Sequence, residues 1–108
     1  MIFIESKLFE KLRAKYLEDS EYYRLQDFLL AEPMAGDVIQ GTGGLRKLRW
    51  ALRNKGKRGG IRIIYLYITV LGHVHFLTVY AKNEASDLTA EEKKILKRIV
   101  EEIKNAQA

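Results

Sequence analysis

Cysteine is missing from all 108 residues, so neither a disulfide framework nor a thiolate metal site is open to this chain. That composition suits a reducing compartment. No stretch approaches the roughly 18 apolar residues that a membrane span needs. The opening residues MIFIESKLFE carry acids at positions 5 and 10 and lack the basic and apolar regions of a signal peptide. A cytoplasmic protein without membrane attachment is expected. Several catalytic signatures are absent as well. There is no G-x-x-x-x-G-K-[ST] phosphate loop, no G-x-S-x-G nucleophile elbow and no histidine pair at helical spacing with a carboxylate to hold zinc. Paired carboxylates on one strand, as a glycosidase would want, are missing too. No metal or cofactor is expected.

Acidic residues are missing from one stretch in particular. Between Gly41 and Arg62 stand Arg46, Lys47, Arg49, Arg53, Lys55, Lys57, Arg58 and Arg62, without a single Asp or Glu. The net charge of +5 is therefore regional, because elsewhere 11 basic residues face 14 acidic ones. A concentrated positive field on a mildly acidic protein raises the local concentration of polyanions and steers their approach. A solvated face is the plainer reading of such a run; a grip on RNA is the functional one.

The chain predicts a single domain over 1–108, long enough to bury its own core. IFIE at 2–5 suits a strand. Leu8, Phe9, Leu12, Tyr16 and Leu17 then fall at helical spacing, with Ser6 as the N-cap. Near Asp19 and Ser20 the chain turns and recaps, and Tyr22, Leu25, Phe28 and Leu29 make a second apolar stripe that ends before the only proline, Pro33. Residues 34–44 contain four of the chain's eight glycines, which predicts a loop. The alternation from Leu45 to Leu52 predicts a strand near a sheet edge, with bases on both faces.

After the turn RNKGKRGG, the run IRIIYLYIT is the candidate central strand. VLGH and VHFLTVYA complete a hairpin over 61–81, with pairs summing to about 142. Thr89 and Glu92 form a T-x-x-E capping box. They precede a helix whose apolar face is Ile95, Leu96, Ile99, Val100 and Ile103. The order β-α-α-β-β-β-α predicts an α+β fold, a mainly antiparallel four-stranded sheet with helices packed against it.

Within that arrangement Arg62 shares a strand face with Ile64, Leu66 and Ile68. Such a placement suits either an arginine anchored at the sheet end and aimed at a phosphate, or one satisfied by a nearby carboxylate. Hairpin pairing brings it opposite Tyr80–Lys82, so the glycine-flanked bases Lys55, Lys57 and Arg58, Arg62 and the segment Tyr80, Lys82, Asn83 and Glu84 should converge. Arginines fork onto phosphate oxygens and lysines act as compact charges. Tyr80 is either a core aromatic or a ring on which a base stacks. His73 and His75 lie at the opposite end of the hairpin, where two polar residues need no catalytic explanation.

In that order after two helices, GDVIQGTGGLRKLRW, KGKRGGIRIIY and LTVYAKNEASDLTAEE resemble the HigB branch of the RelE/ParE toxin superfamily. The likeness runs over nearly the whole chain and is most specific from Gly36 to Glu92. It implies the element order already read and the toxin of a type II toxin–antitoxin pair. RelE-like members cleave mRNA in the ribosomal A site, and in the HigB branch the partner is an antitoxin (HigA-like) resembling a helix-turn-helix DNA-binding protein. By position, Arg62 matches the strand arginine that acts on the scissile phosphate, and Lys55, Lys57 and Arg58 fall in the family's basic loop. Lys82 and Asn83 stand where RelE itself has Lys-Arg, so an asparagine replaces the second arginine.

The family's later tyrosine is unmatched, Leu88 lying near its place, and Tyr80 is the candidate to take over its stacking role. Arg46, Lys47, Arg49 and Arg53 are expected to hold the ribosomal or messenger backbone. The expected chemistry is attack by the RNA's own 2′-hydroxyl, with Lys55 or Lys57 as base. A ParE-like gyrase inhibitor and a non-enzymatic RNA-binding module are the alternatives.

Overall fold

Apolar residues recurring every three to four positions must be buried against something, and here they are buried against both faces of one sheet. The computed structural model describes residues 1–52, 60–84 and 87–107. Among them the order is β1 (Ile2–Glu5), α1 (Lys7–Tyr16), α2 (Asp19–Ala31), β2 (Asp37–Val38), β3 (Arg46–Trp50), β4 (Ile61–Ile68), β5 (His73–Ala81) and α3 (Ala90–Gln107). The strands lie side by side as β1-β5-β4-β3-β2. Among the described residues only the β1–β5 pairing is parallel. The α+β fold and its mainly antiparallel sheet are those the sequence predicts. The difference is β2, two residues inside the expected loop, which add a fifth strand by pairing Asp37 with Lys47 and Val38 with Arg46.

One face of the sheet carries α1 and α2. Phe9, Leu17, Tyr22, Leu25 and Leu29 close there on Leu48, Trp50, Ile61, Ile63, Tyr65, Phe76 and Val79. Leu96 and Val100 of α3 cover the other face, meeting Ile39, Leu45, Ile64, Leu66 and Leu77. β4 is thus sandwiched, which explains why it reads as an almost unbroken apolar run rather than an alternation. Ser6 caps α1 by accepting from the Phe9 amide at 2.9 Å. The Thr89–Glu92 box forms in both directions, at 2.9 and 3.1 Å. α2 is capped otherwise than expected. Glu18 is its extended N-cap residue, without a side-chain cap bond, and Asp19 lies inside the first turn, where acids suit the helix dipole.

The hairpin register decides which side chains share a face at the Arg62 end of the sheet. Ile61↔Ala81, Arg62↔Tyr80, Ile63↔Val79 and Ile64↔Thr78 keep the predicted sum, but the pairing slips between Ile64 and Tyr65, and Tyr65 faces Phe76. Leu77 is the extra residue, a bulge on β5. Phe76 and Val79 can therefore both enter the α1/α2 core although they are three apart. The same slip carries Tyr80, four residues beyond Phe76, to the α3 side of the sheet, where Arg62 lies.

A buried hydroxyl anchors the loop before β3. The Tyr65 hydroxyl donates to the Pro33 carbonyl at 2.8 Å and accepts from the Gly36 amide at 3.0 Å. Gly36 has no room for a side chain, since a Cβ there would stand 2.9 Å from the Tyr65 ring. Beyond it Gly41, Gly43 and Gly44 adopt φ of 77°, 80° and 113°, conformations open to glycine at little cost.

Candidate active site

Cross-strand neighbours share a face of a sheet. Arg49 faces Arg62 and Arg62 faces Tyr80, so these three form one row across β3, β4 and β5 on the α3 side. Neighbouring strands are about 4.8 Å apart, close enough for one phosphate to bridge two of the row. Beside the row is an open depression of about 290 Å³, lined by Arg49, Trp50, Ala51, Gly60, Arg62 and Lys82. Among the described residues no carboxylate lines it.

Arg62 is half buried, and its guanidinium donates to the carbonyl of Ile61 at 3.2 Å. Among the described residues no carboxylate pairs with it. The rim is held from below. Arg24 lies over the Trp50 ring at 4.4 Å and donates to the Ala51 carbonyl at 2.8 Å.

Tyr80 packs its ring against the α3-side cluster, and its enclosed hydroxyl has no partner among the described residues. Burial raises the phenol's pKa, and the carboxylates of Asp87 and Glu92 add to this against the pull of Arg62. At neutral pH the group is a protonated donor. Lys82 and Asn83 are exposed in the turn after β5, and the Lys82 amide donates to the Gly60 carbonyl at 3.2 Å, which sets the lysine at the lip of the depression.

The remaining expected residues are distributed unevenly. Lys47 lies on the same face, but it pairs with Asp87 at 3.5 Å and its side chain is 20% exposed. The Asp87 carboxyl is held below its usual range by the Leu88 amide and, secondarily, by Lys47. Arg49 is exposed. Arg46 is not brought to this cluster. It sits on the opposite face of β3, where its guanidinium donates to the carbonyls of Met34 and Gly36 at 3.1 and 2.8 Å. Arg53, Lys55, Lys57 and Arg58 lie outside the described residues. His73 and His75 stay at the far end of the hairpin, beside β1.

Two partnerships escaped sequence reasoning: Asp87 and Glu92, the latter read only as a capping residue, act on Tyr80 from the lead-in and first turn of α3. Glu84, expected to converge on the cluster with its segment, instead turns outward to α1. Nothing local marks these partnerships, because each joins different elements of the fold.

The cluster can bind and orient a phosphodiester, neutralise charge that grows on it and donate a proton or hydrogen bond. Among the described residues no three His, Cys, Asp or Glu side chains come together as a metal site would require. No helix among the described residues is long and apolar enough to cross a membrane. Residues 3–108 match the family model described as the RelE toxin of the RelE/RelB toxin–antitoxin system, so the chain belongs to the RelE toxin family.

Proposed function

We propose that this toxin is a cytoplasmic, ribosome-dependent mRNA endoribonuclease of the HigB branch, held inactive by a cognate helix-turn-helix, HigA-like antitoxin. The observation that carries the reading is the Arg49–Arg62–Tyr80 row beside a depression that, among the described residues, has three cationic side chains and no carboxylate. A protein that only blocks another enzyme has no need of convergent phosphate binders.

RNA brings its own nucleophile. A base removes the 2′-hydroxyl proton, the 2′-oxygen forms a bond to phosphorus, and the bond to the 5′-oxygen breaks. The leaving oxygen takes up a proton, giving a 2′,3′-cyclic phosphate and a 5′-hydroxyl. Lys55 or Lys57, set in a sequence run of like charge that disfavours the ammonium form, supplies the base. Arg62 and Arg58 stabilise the phosphorane, whose charge exceeds that of the ground state. Tyr80, in the strand position opposite Arg62, is the candidate ring on which a base stacks. Lys82 and Asn83 hold the phosphate from the lip, and Lys47, Arg49 and Arg53 hold the flanking backbone. The ribosome supplies orientation of the message and much of the proximity, so free RNA is cut slowly.

Expression of the protein should arrest growth, and mapping of mRNA ends on stalled ribosomes should show new 5′-hydroxyl ends. Arg62→Ala should abolish both, at a loss of about 10²–10³ in cleavage rate, as for removal of one preorganised charge-stabilising donor. Arrest that persists in Arg62→Ala with intact messages would refute the nuclease and favour gyrase inhibition. A modest, salt-dependent loss of RNA affinity as the sole effect would favour a binding module.

A further inference from the structure

Beyond β5 the chain must turn immediately to reach α3, and that turn carries Lys82 and Asn83. It also carries an acid, Glu84, which is a liability beside a phosphate site. The structure directs this acid away. Tyr16, the last residue of α1, donates its hydroxyl to one oxygen of the Glu84 carboxylate, and the Lys15 ammonium lies 3.5 Å from the other. The three groups report one another. The Tyr16 phenol is the main cause of the lowered Glu84 pKa, and Glu84 is the main cause of the raised Tyr16 pKa.

Tyr16 is well placed to act as a post. Its ring packs against the α1/α2 core, so its hydroxyl is carried on a rigid element. On the other side, the Glu84 amide donates to the Ala81 carbonyl at 3.0 Å and the Lys82 amide to the Gly60 carbonyl at 3.2 Å. The turn is therefore tied to the sheet by its backbone and to α1 by one carboxylate.

We propose that Tyr16 and Glu84 are positioning residues for the cleavage site: their contact fixes the 81–84 turn so that Lys82 stands across the depression from Arg62, and keeps the Glu84 charge off the bound phosphate. The proposal rests on the nuclease reading. Positioning of this kind acts on the rate of a bound substrate, since small displacements of a charge-stabilising group are costly to the transition state.

The test compares Tyr16→Phe, Glu84→Ala, Glu84→Gln and the double variant Tyr16→Phe/Glu84→Ala. Each is assayed for cleavage of ribosome-bound message under single-turnover conditions, and by amide hydrogen exchange of the free protein. Tyr16→Phe and Glu84→Ala should each slow cleavage about five- to tenfold, with the concentration for half-maximal rate changed by less than about twofold. Glu84→Gln keeps an acceptor for the phenol and should stay within about twofold of the parent. The double variant should be no slower than either single one, because both remove the same contact. The Lys82 and Glu84 amides should exchange faster in Tyr16→Phe and Glu84→Ala but not in Glu84→Gln. A cleaving parent whose Tyr16→Phe variant cuts at the parental rate overturns this proposal alone. So do additive losses, rates that merely follow the melting temperatures, or unchanged exchange at both amides. A parent that does not cut ribosome-bound message overturns the nuclease reading instead, and exchange then decides whether Tyr16 holds the turn.

Discussion

Replacing Tyr65 by phenylalanine removes one oxygen atom from the centre of the sheet and should destabilise the protein by about 2 kcal/mol. The ring is fully buried and stays in place, so no cavity larger than a hydroxyl is created. What is lost are the two bonds to Pro33 and Gly36. They are unequal. The Pro33 carbonyl is within reach of water, and losing its donor costs about 0.5 kcal/mol. The Gly36 amide is buried and would be left without an acceptor, which costs about 1–3 kcal/mol. A small gain from burying an apolar edge offsets part of this.

Unfolding entropy of about 2.1 cal/mol/K per residue over 108 residues converts about 2 kcal/mol into a fall in Tm of about 9 °C. Urea denaturation should show a lower midpoint at an unchanged slope. A change below about 0.5 kcal/mol would mean that the Gly36 amide finds another acceptor and that the anchor is not the Tyr65 hydroxyl. The effect should reach the site only weakly, because β3 is also held by its five pairs with β4.

The capping box and the buried histidine yield two more expected outcomes. Thr89→Ala should cost about 1 kcal/mol, or about 4 °C in Tm, and Thr89→Ser should restore most of it; a melt unchanged by Thr89→Ala would show that packing of α3 alone fixes its start. Burial, and to a lesser degree His73, lowers the His75 pKa below the ordinary 6.5, so the folded state resists a proton that the unfolded chain accepts. His75 therefore costs nothing above about pH 6.5, and stability falls as pH drops from there towards the depressed folded value. Urea midpoints of His75→Leu should lack that fall between neutral pH and the onset of carboxylate titration; a variant with the parental slope would place the acid sensitivity elsewhere.

Much of the cluster around Arg62 was legible because hairpin arithmetic is local. Once Val70–Gly72 is read as a turn, Arg62 must oppose Tyr80, and the observed pairing keeps that sum from Ile61 to Ile64. The basic stretch was legible as charge, but its division of labour was not. Arg46 and Lys47 are adjacent and alike in composition, yet one binds loop carbonyls on one face and the other pairs with Asp87 on the opposite face. Alternation along a strand separates their faces; it does not say what waits on each.

Periodicity, caps and turn residues determined by themselves the helices, the hairpin and the α+β order, because these depend on neighbours within about four residues along a helix or across one tight turn. Only the tertiary structure decided the parallel insertion of β1 beside β5, the bulge at Leu77 that carries Tyr80 to the α3 face, and the meeting of Tyr16 with Glu84 across 68 residues. These depend on how two helical layers fill both faces of one sheet, and close packing is a property of the whole assembly rather than of any window of sequence.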